Sequence, residues 1–297
     1  MTPESVPSPS FDELITRSGL PRLEARILLE LASGRGRSWL IGHGEEAASA
    51  DSVARFQALV ARRLAGEPVA YLTGRREFHG LDLAVAPGVL IPRPETELLV
   101  DRAIEIIVRD NDHATRPRSL LDLGTGSGAI ALAICAHQPQ TRIVATDRSE
   151  EALAQARLNA ARLEHGRHIS FRLGSWWQAI GEEERFDVIV SNPPYIAEGD
   201  PHLLAADLRH EPVDALVSGP DGLAAIRAIV AGAPHHLQGS GWLLIEHGYD
   251  QGEAVRKIFA QARFSSIRTL LDLEGRDRVT EGRRRGRNLE GGQQFMV

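Results

Sequence analysis

The feature that most constrains this chain is a strand, a glycine turn and a helix in immediate succession. Ser119-Leu120-Leu121-Asp122-Leu123 is a short apolar run that passes directly into Gly124-Thr125-Gly126-Ser127-Gly128. Ala129 to His137 then reads as the first turns of a helix. Glycine lets a ligand approach the backbone closely, so the three parts make a nucleotide-binding βα unit. A second apolar run, Arg142 to Thr146, ends at Asp147, about 20 residues past the glycines, where an acidic residue meets ribose hydroxyls in such folds. The segment Gly124 to Ala129 also fits the looser pattern G-x-G-x-x-G/A, so the glycines alone do not say which nucleotide binds. From residue 119 onward strands and helices alternate, which predicts a doubly wound α/β sheet. Leu243-Leu244-Ile245-Glu246 reads as a late strand and Gly252 to Ala262 as a helix.

About seventy residues past the glycine turn, the apolar run Phe186-Asp187-Val188-Ile189-Val190 ends in Ser191-Asn192-Pro193-Pro194-Tyr195. Neither prolyl nitrogen can donate a hydrogen bond, so the turn is stiff and its carbonyls are free to accept. Asn192 adds an amide side chain and Tyr195 a flat face. Such a strand exit suits a planar nitrogen held by its own N–H groups while it attacks something. Asn and Pro are also ordinary turn residues, so the tetrapeptide gains its meaning from the glycine turn and Asp147 upstream.

Composition narrows the class. Hydrophobic residues make up 42% and charged residues 25% of 297 residues, a globular balance that allows two domains. A net charge of −6 argues against a protein that holds a nucleic-acid backbone over a long surface. Cys135 is the only cysteine, so an internal disulfide and a cysteine-based zinc site are excluded. It falls on the apolar face of the helix after the glycines and reads as a packed thiol. Met1 to Ser10 lacks the basic and apolar regions of a signal peptide, and no apolar run approaches the ~20 residues of a membrane span. A cytoplasmic protein is expected.

Upstream, Leu14, Ile15, Leu20, Leu23, Ala25, Ile27, Leu28 and Leu31 recur at helical intervals, as do Val53, Phe56, Leu59, Val60 and Leu64. Asp51 and Ser52 are candidate caps of the later helix. Nine arginines stand against nine acidic residues up to residue 75, so a partner-docking bundle fits better than a basic nucleic-acid module. Phe78 to Val85 alternates, Pro87-Gly88 turns and Val89-Leu90-Ile91 returns, consistent with a hairpin. Glu95 to Arg109 reads as a helix with Leu98, Leu99, Ala103, Ile106 and Ile107 on one face.

With these segments in view, the chain resembles the protein-glutamine N5-methyltransferases that modify bacterial peptide chain release factors. The resemblance runs from about residue 10 to Gly282 and rests on Gly66 to Gly74, Glu77-Phe78 and Ile91-Pro92-Arg93-Pro94-Glu95-Thr96-Glu97. It continues through the glycine turn, Asp147, Ser191 to Tyr195, Leu244-Ile245-Glu246-His247-Gly248 and Arg278-Val279-Thr280. The Asn-Pro-Pro-Tyr motif is shared with methylases of exocyclic base nitrogens; the Ile91 to Glu97 segment and the helical amino-terminal region narrow the match. The resemblance implies a Rossmann-like α/β S-adenosylmethionine-dependent methyltransferase domain preceded by a small all-α domain. The implied division is a helical partner-binding domain at 1–75, a β-hairpin linker at 76–95, the methyltransferase domain at 96–282 and a basic, glycine-rich, disordered tail at 283–297.

The implied acceptor is the glutamine of the Gly-Gly-Gln loop of class 1 release factors, with no membrane and no direct nucleic acid involved. Gly124, Thr125, Gly126, Ser127 and Gly128 are expected to wrap the donor's methionine and ribose, and Asp147 to accept from the ribose hydroxyls. Asn192 is expected to face donor and acceptor alike. Trp176 falls where the family places a residue beside adenine, Trp177 reads as core, and Ser175 stands where an acidic residue is usual. An amide nitrogen is a poor nucleophile because its lone pair is delocalised into the carbonyl. If Asn192 Oδ1 and the Pro193 carbonyl each accept one amide N–H, with Pro194 stiffening the turn and Tyr195 packing over the amide, those contacts strengthen as positive charge grows on nitrogen. Direct in-line transfer without metal or covalent intermediate is expected.

Other residues carry blander readings. Glu246-His247 reads as a strand-end pair supporting the pocket wall, Arg93 and Glu97 as hairpin or partner contacts or a solvated pair, and His235-His236 lacks metal partners. The tail holds Gly291-Gly292-Gln293, a chance match or a tethered pseudosubstrate. Two rival functions are a base N-methyltransferase acting on a flipped base and a non-catalytic nucleotide-binding protein.

Overall fold

The computed structural model describes residues 8–111, 116–205 and 207–285; the Gly291-Gly292-Gln293 tripeptide lies outside the described residues. Of these, the residues up to Arg75, Val85–Pro87 and Pro201–Glu211 form one compact unit. Arg76–Ala84, Gly88–Asp200 and the residues from Pro212 onward form the other.

The first unit carries α1 (Phe11–Arg17), α2 (Arg22–Ser33), α3 (Arg37–Gly42), α4 (Ala50–Leu64) and α5 (Val69–Thr73). A reciprocal capping box opens α1: the Glu13 N–H donates to Ser10 Oγ at 3.2 Å and the Ser10 N–H to Glu13 Oε2 at 2.9 Å. Ser49 caps α4, accepting from the Ser52 N–H at 3.2 Å. Asp51 and Ser52, expected as caps, lie inside the first turn, because a cap needs the extended backbone that Ser49 adopts at ψ 149°. The core gathers Phe11, Leu14, Leu28, Leu29, Phe56 and Leu72. Leu23, Leu31 and Leu64, expected on the packed faces, are 61%, 44% and 61% exposed. The buried stripe of α2 is instead Ala25, Leu28, Leu29 and Ala32. Arg63 joins Glu24 and Asp207, each at 2.6 Å, so the 201–211 segment is tied to helices α2 and α4.

The second unit opens with a two-stranded hairpin of β1 (Arg75–Phe78) and β2 (Leu81–Ala84). Its turn is His79-Gly80, with φ of 51° and 77°, and not Pro87-Gly88 as the alternation suggested. Positive φ at both central residues matches the twist of a two-residue hairpin. Histidine is an unusual choice there, and tertiary contacts hold it: its N–H donates to Glu97 Oε1 at 3.0 Å and its ring meets Asp101 at 2.9 Å. Val89 and Ile91, expected as the returning strand, are buried without forming one.

Behind the hairpin stands a seven-stranded sheet. Its strands are β3 (Ser119–Leu123), β4 (Arg142–Asp147), β5 (Ile169–Leu173), β6 (Phe186–Ser191), β7 (Leu237–Glu246), β8 (Ser265–Leu271) and β9 (Asp277–Arg283), in the order β5-β4-β3-β6-β7-β9-β8. The first five pair in parallel, and β9 runs antiparallel to both of its neighbours. Leu120, Val188, Val190 and Leu244 face α6 (Glu97–Asn111) and α7 (Ala129–His137). Leu121, Ile189, Leu243 and Ile245 face α9 (Ala224–His236) and α10 (Gly252–Gln261). Burial on both faces is why these strands read as continuous apolar runs. Helix α7 is buried nearly all round, and its Cys135 thiol lies against the His165 carbonyl.

Helix α8 (Glu150–Leu163) carries a buried asparagine that joins three parts of this unit. Asn159 Oδ1 accepts from the Ala84 N–H at 2.7 Å, and its Nδ2 donates to the Ala84 and Ser127 carbonyls at 3.0 Å. The hairpin and the glycine turn are thus clamped by one fully satisfied amide. Replacing Asn159 with Ala strands a buried N–H and a buried carbonyl, so urea unfolding should show a loss of about 2 kcal/mol or more.

Candidate active site

The register of the parallel strands places the singled-out residues in one row. Leu123 pairs with Thr146 on one side and Ser191 on the other, and Ser191 pairs with Ile245. The residues that follow these are Asp147, Gly124, Asn192 and Glu246, on four adjacent strands at the carboxyl edge. Strand order reverses about β3, since β4 lies on one side and β6 on the other. Open α/β sheets bind ligands at such a crevice. Ser191 Oγ donates to the Leu123 carbonyl at 2.7 Å and ties the two strand ends together.

A cavity of about 760 Å³ opens over this row, lined by the glycine turn, Asp147, Trp176, Asn192, Pro193 and Pro194 among others. That size suits a small-molecule site. Gly124 sits at φ 74° and a Cβ there would meet the Trp176 ring at 3.5 Å. Asp147 holds the turn in place: Oδ2 accepts from the Gly126 N–H and Oδ1 from the Ser149 N–H, both at 2.9 Å. Each of its oxygens keeps a further lone pair. The two tryptophans separate cleanly. Trp176 lines the cavity, whereas Trp177 donates to the Ala228 carbonyl at 3.0 Å and stacks on His236 at 5.0 Å. Ser175 lines the cavity too, and its backbone N–H donates to Gln178 Oε1 at 3.2 Å in the turn that carries both rings.

Asn192 is the pivotal side chain. Its Nδ2 donates to Thr96 Oγ1 at 3.0 Å. Its Oδ1 is buried, and no group among the described residues donates to it. Tyr195 is not part of the cavity wall. Its hydroxyl is buried near Glu246, and burial first, then the Glu246 charge, raises its pKa. The Tyr195 carbonyl accepts from Gln251 Nε2 at 2.9 Å, and a Cβ on Gly222 would collide with that oxygen. Only glycine lets the backbone pass there, at φ 73°.

Two buried carboxyls flank the row. Burial pushes Asp122 up to about 7, against the pull of the Thr125 hydroxyl, which donates to it at 2.6 Å. Burial likewise pushes Glu246 up to about 7, against hydrogen bonds from Thr96 and Tyr195 and the charge of Arg278. Thr96 is the residue the sequence reading passed over. It stood inside the Ile91 to Glu97 segment without a role, and an acidic residue ending an apolar strand was the signal for a partner.

The remaining candidates take structural positions. His247 is fully buried between the Gly248 carbonyl (2.9 Å) and the Thr280 hydroxyl (2.8 Å), and burial lowers its pKa. Glu97 holds the hairpin turn, and Arg93 lines the cavity. His236 packs on Trp177, and no cluster of three metal-ligating side chains occurs among the described residues.

A model described as the PrmC N-terminal domain matches residues 12–74, and one described as a methyltransferase small domain matches residues 96–221. The chain is 50% identical to a release factor glutamine methyltransferase of Xylella fastidiosa (strain Temecula1), across 94% of this chain and 98% of that one. It belongs to the release factor glutamine methyltransferase family. The family's Bordetella pertussis member is 47% identical, across 91% and 97% of the two chains. A T. thermophilus 16S rRNA N2 methyltransferase solved with AdoMet and guanosine matches at TM-score 0.50 and 21% identity, covering 71% of this chain and 50% of that one. That likeness is one of fold. Among the described residues, no helix is long and apolar enough to cross a membrane.

Asp122 gives this family member a stability signature. Its carboxyl ionises near 3.8 when unfolded and near 7 when folded, so between these values the folded state holds the extra proton. Stability therefore falls as pH rises through that window. Asp122→Asn removes the titration, so its stability relative to the parent should improve between about pH 4 and about pH 7 in urea melts. A constant difference would show that Asp122 titrates alike in both states.

Proposed function

We propose that this chain transfers a methyl group from S-adenosylmethionine to the side-chain amide nitrogen (N5) of the glutamine in the Gly-Gly-Gln loop of class 1 peptide chain release factors. The observation that carries the reading is Asn192: its Nδ2 is engaged by Thr96, and its buried Oδ1 faces the need for a donor. A primary amide offers two N–H groups in one plane. One goes to Asn192 Oδ1, and the other to the Pro193 carbonyl in a turn whose prolyl nitrogens cannot compete. Both acceptors gain strength as charge develops on the bound nitrogen, so they favour the transition state over the ground state.

The residues present fit the methyl donor. Gly124, Thr125, Gly126, Ser127 and Gly128 leave backbone open to its methionine and ribose, Asp147 keeps lone pairs for the ribose hydroxyls, and Trp176 offers a face for adenine. When bound, S-adenosylmethionine supplies a sulfonium methyl; the amide nitrogen takes it, the C–S electron pair returns to sulfur, and the nitrogen's proton leaves to water. Pro194 keeps the turn rigid, and Tyr195 serves from behind it, through Glu246. The helical unit, with neither sign of charge in excess up to residue 75, suits a protein partner better than nucleic acid. Such a substrate places the enzyme in the cytoplasm.

The test is to incubate the protein with S-adenosylmethionine and either release factor or nucleic acid, and to locate the methyl by mass spectrometry. It should appear on the Gly-Gly-Gln glutamine; a methyl on a base instead overturns the acceptor. Asn192→Ala should lower kcat by on the order of 10²–10³ while donor affinity, read by calorimetry, changes little.

A further inference from the structure

We infer that Glu246 is a positioning residue for transfer: its carboxylate takes the Thr96 proton, which turns Asn192 so that Oδ1 faces the acceptor amide. The inference rests on the acceptor role of Asn192 proposed above and adds what sets its orientation.

An asparagine amide can turn end for end, and only its hydrogen-bond partners choose between the two poses. Asn192 Nδ2 meets Thr96 Oγ1 at 3.0 Å, and Thr96 is buried. A hydroxyl has one proton. Where Thr96 gives it to Glu246, only lone pairs remain for Asn192, and only the NH₂ end of the amide can face them. Sheet register supplies the geometry, because Ile245 pairs with Ser191 and so sets Glu246 beside Asn192. Glu246 is 1% exposed, and its Oε2 is buried with no hydrogen-bond partner among the described residues, so one carboxyl oxygen is left to take the Thr96 proton.

A protonated Glu246 would remove the constraint. A carboxylic acid can donate to Thr96, whose own proton is then free to point at Asn192 and hold the amide reversed. The reversed amide presents NH₂ to the NH₂ of the incoming glutamine, and donors oppose each other. The groups facing Glu246 are Thr96 and Glu95 from the turn before α6, Tyr195 from the loop after β6, and Arg278 of β9. Burial outweighs the hydroxyls and Arg278 and lifts the carboxyl to about 7. The methyl-transfer step should therefore gain rate as pH rises through that value. A buried carboxylate is expensive to keep, and an isosteric glutamine would fill the same space.

Steady-state kinetics with the release factor should show kcat lower by on the order of tenfold in Glu246→Gln and in Thr96→Val, with KM for S-adenosylmethionine nearly unchanged. Thr96→Ser should restore kcat, and the double variant should be no worse than either single one. The acid limb of the kcat profile near 7 should vanish in Glu246→Gln. Independently of any acceptor, the Asn192 side-chain amide resonances of ¹⁵N-labelled protein, assigned by their loss in Asn192→Ala, should titrate near 7 in the parent and not in Glu246→Gln. Should Glu246→Gln fail to fold, Thr96→Val and the parent titration carry the test. Parent-like kcat and pH profile in the variants, or no titration at Asn192, overturns the inference while leaving the acceptor reading intact. A methyl found elsewhere than on the glutamine overturns the acceptor reading, and the titration still decides the inference.

Discussion

Everything functional in this chain depends on the hydrogen-bonded register of four parallel strands. Asp147, Gly124, Asn192 and Glu246 are far apart in sequence, yet each is the residue at or just beyond the last paired position of its strand. Adjacent parallel strands lie roughly 5 Å apart, so the row spans about the width of a nucleoside beside a small amide. A slip of one residue in any strand would turn its side chains to the opposite face. Register is protected by burial on both faces, where Leu120, Val188 and Leu244 oppose Leu121, Ile189 and Leu243. The apolar core and the polar row are thus two consequences of one pairing pattern.

The polar row is tied together by hydrogen bonds among its own groups and their neighbours. Asp147 binds the glycine turn through two N–H groups, Asn159 binds the turn to the hairpin, and Ser191 binds β6 to β3. Within this set Asn192 Oδ1 stands out because it is buried with no donor among the described residues. A buried acceptor without a donor costs about 1–3 kcal/mol unless something in the cavity supplies one. The same low-dielectric surroundings raise Glu246 and Asp122 toward neutrality, which places their titration where pH can act on function and stability.

Much of this was legible in the chain, and the exceptions share a cause. The glycine turn, Asp147 and the Asn192 motif were legible because each combines a local pattern with a strand exit. The hairpin turn was misplaced at Pro87-Gly88 because the true turn uses His79, whose positive φ is held by Glu97 and Asp101 on α6. Leu23, Leu31 and Leu64 satisfied a helical period and still point outward, since a small bundle has too little core to cover every apolar residue at that spacing. Tyr195 was read as a stacking face, whereas it lies off the cavity wall with its hydroxyl buried.

By itself, the sequence determined the α/β class, the strand that carries each functional residue, and the chemistry those residue types can perform. Hydrophobic period and backbone stereochemistry act over a few residues, so they are written into short stretches of chain. Tertiary structure alone decided that Tyr195 lies off the cavity wall, and that Thr96 reaches Asn192 from ninety-six residues away. Those outcomes are set by which hydrogen-bonding groups are left without water once the sheet is covered, and burial of that kind exists only after the chain has folded.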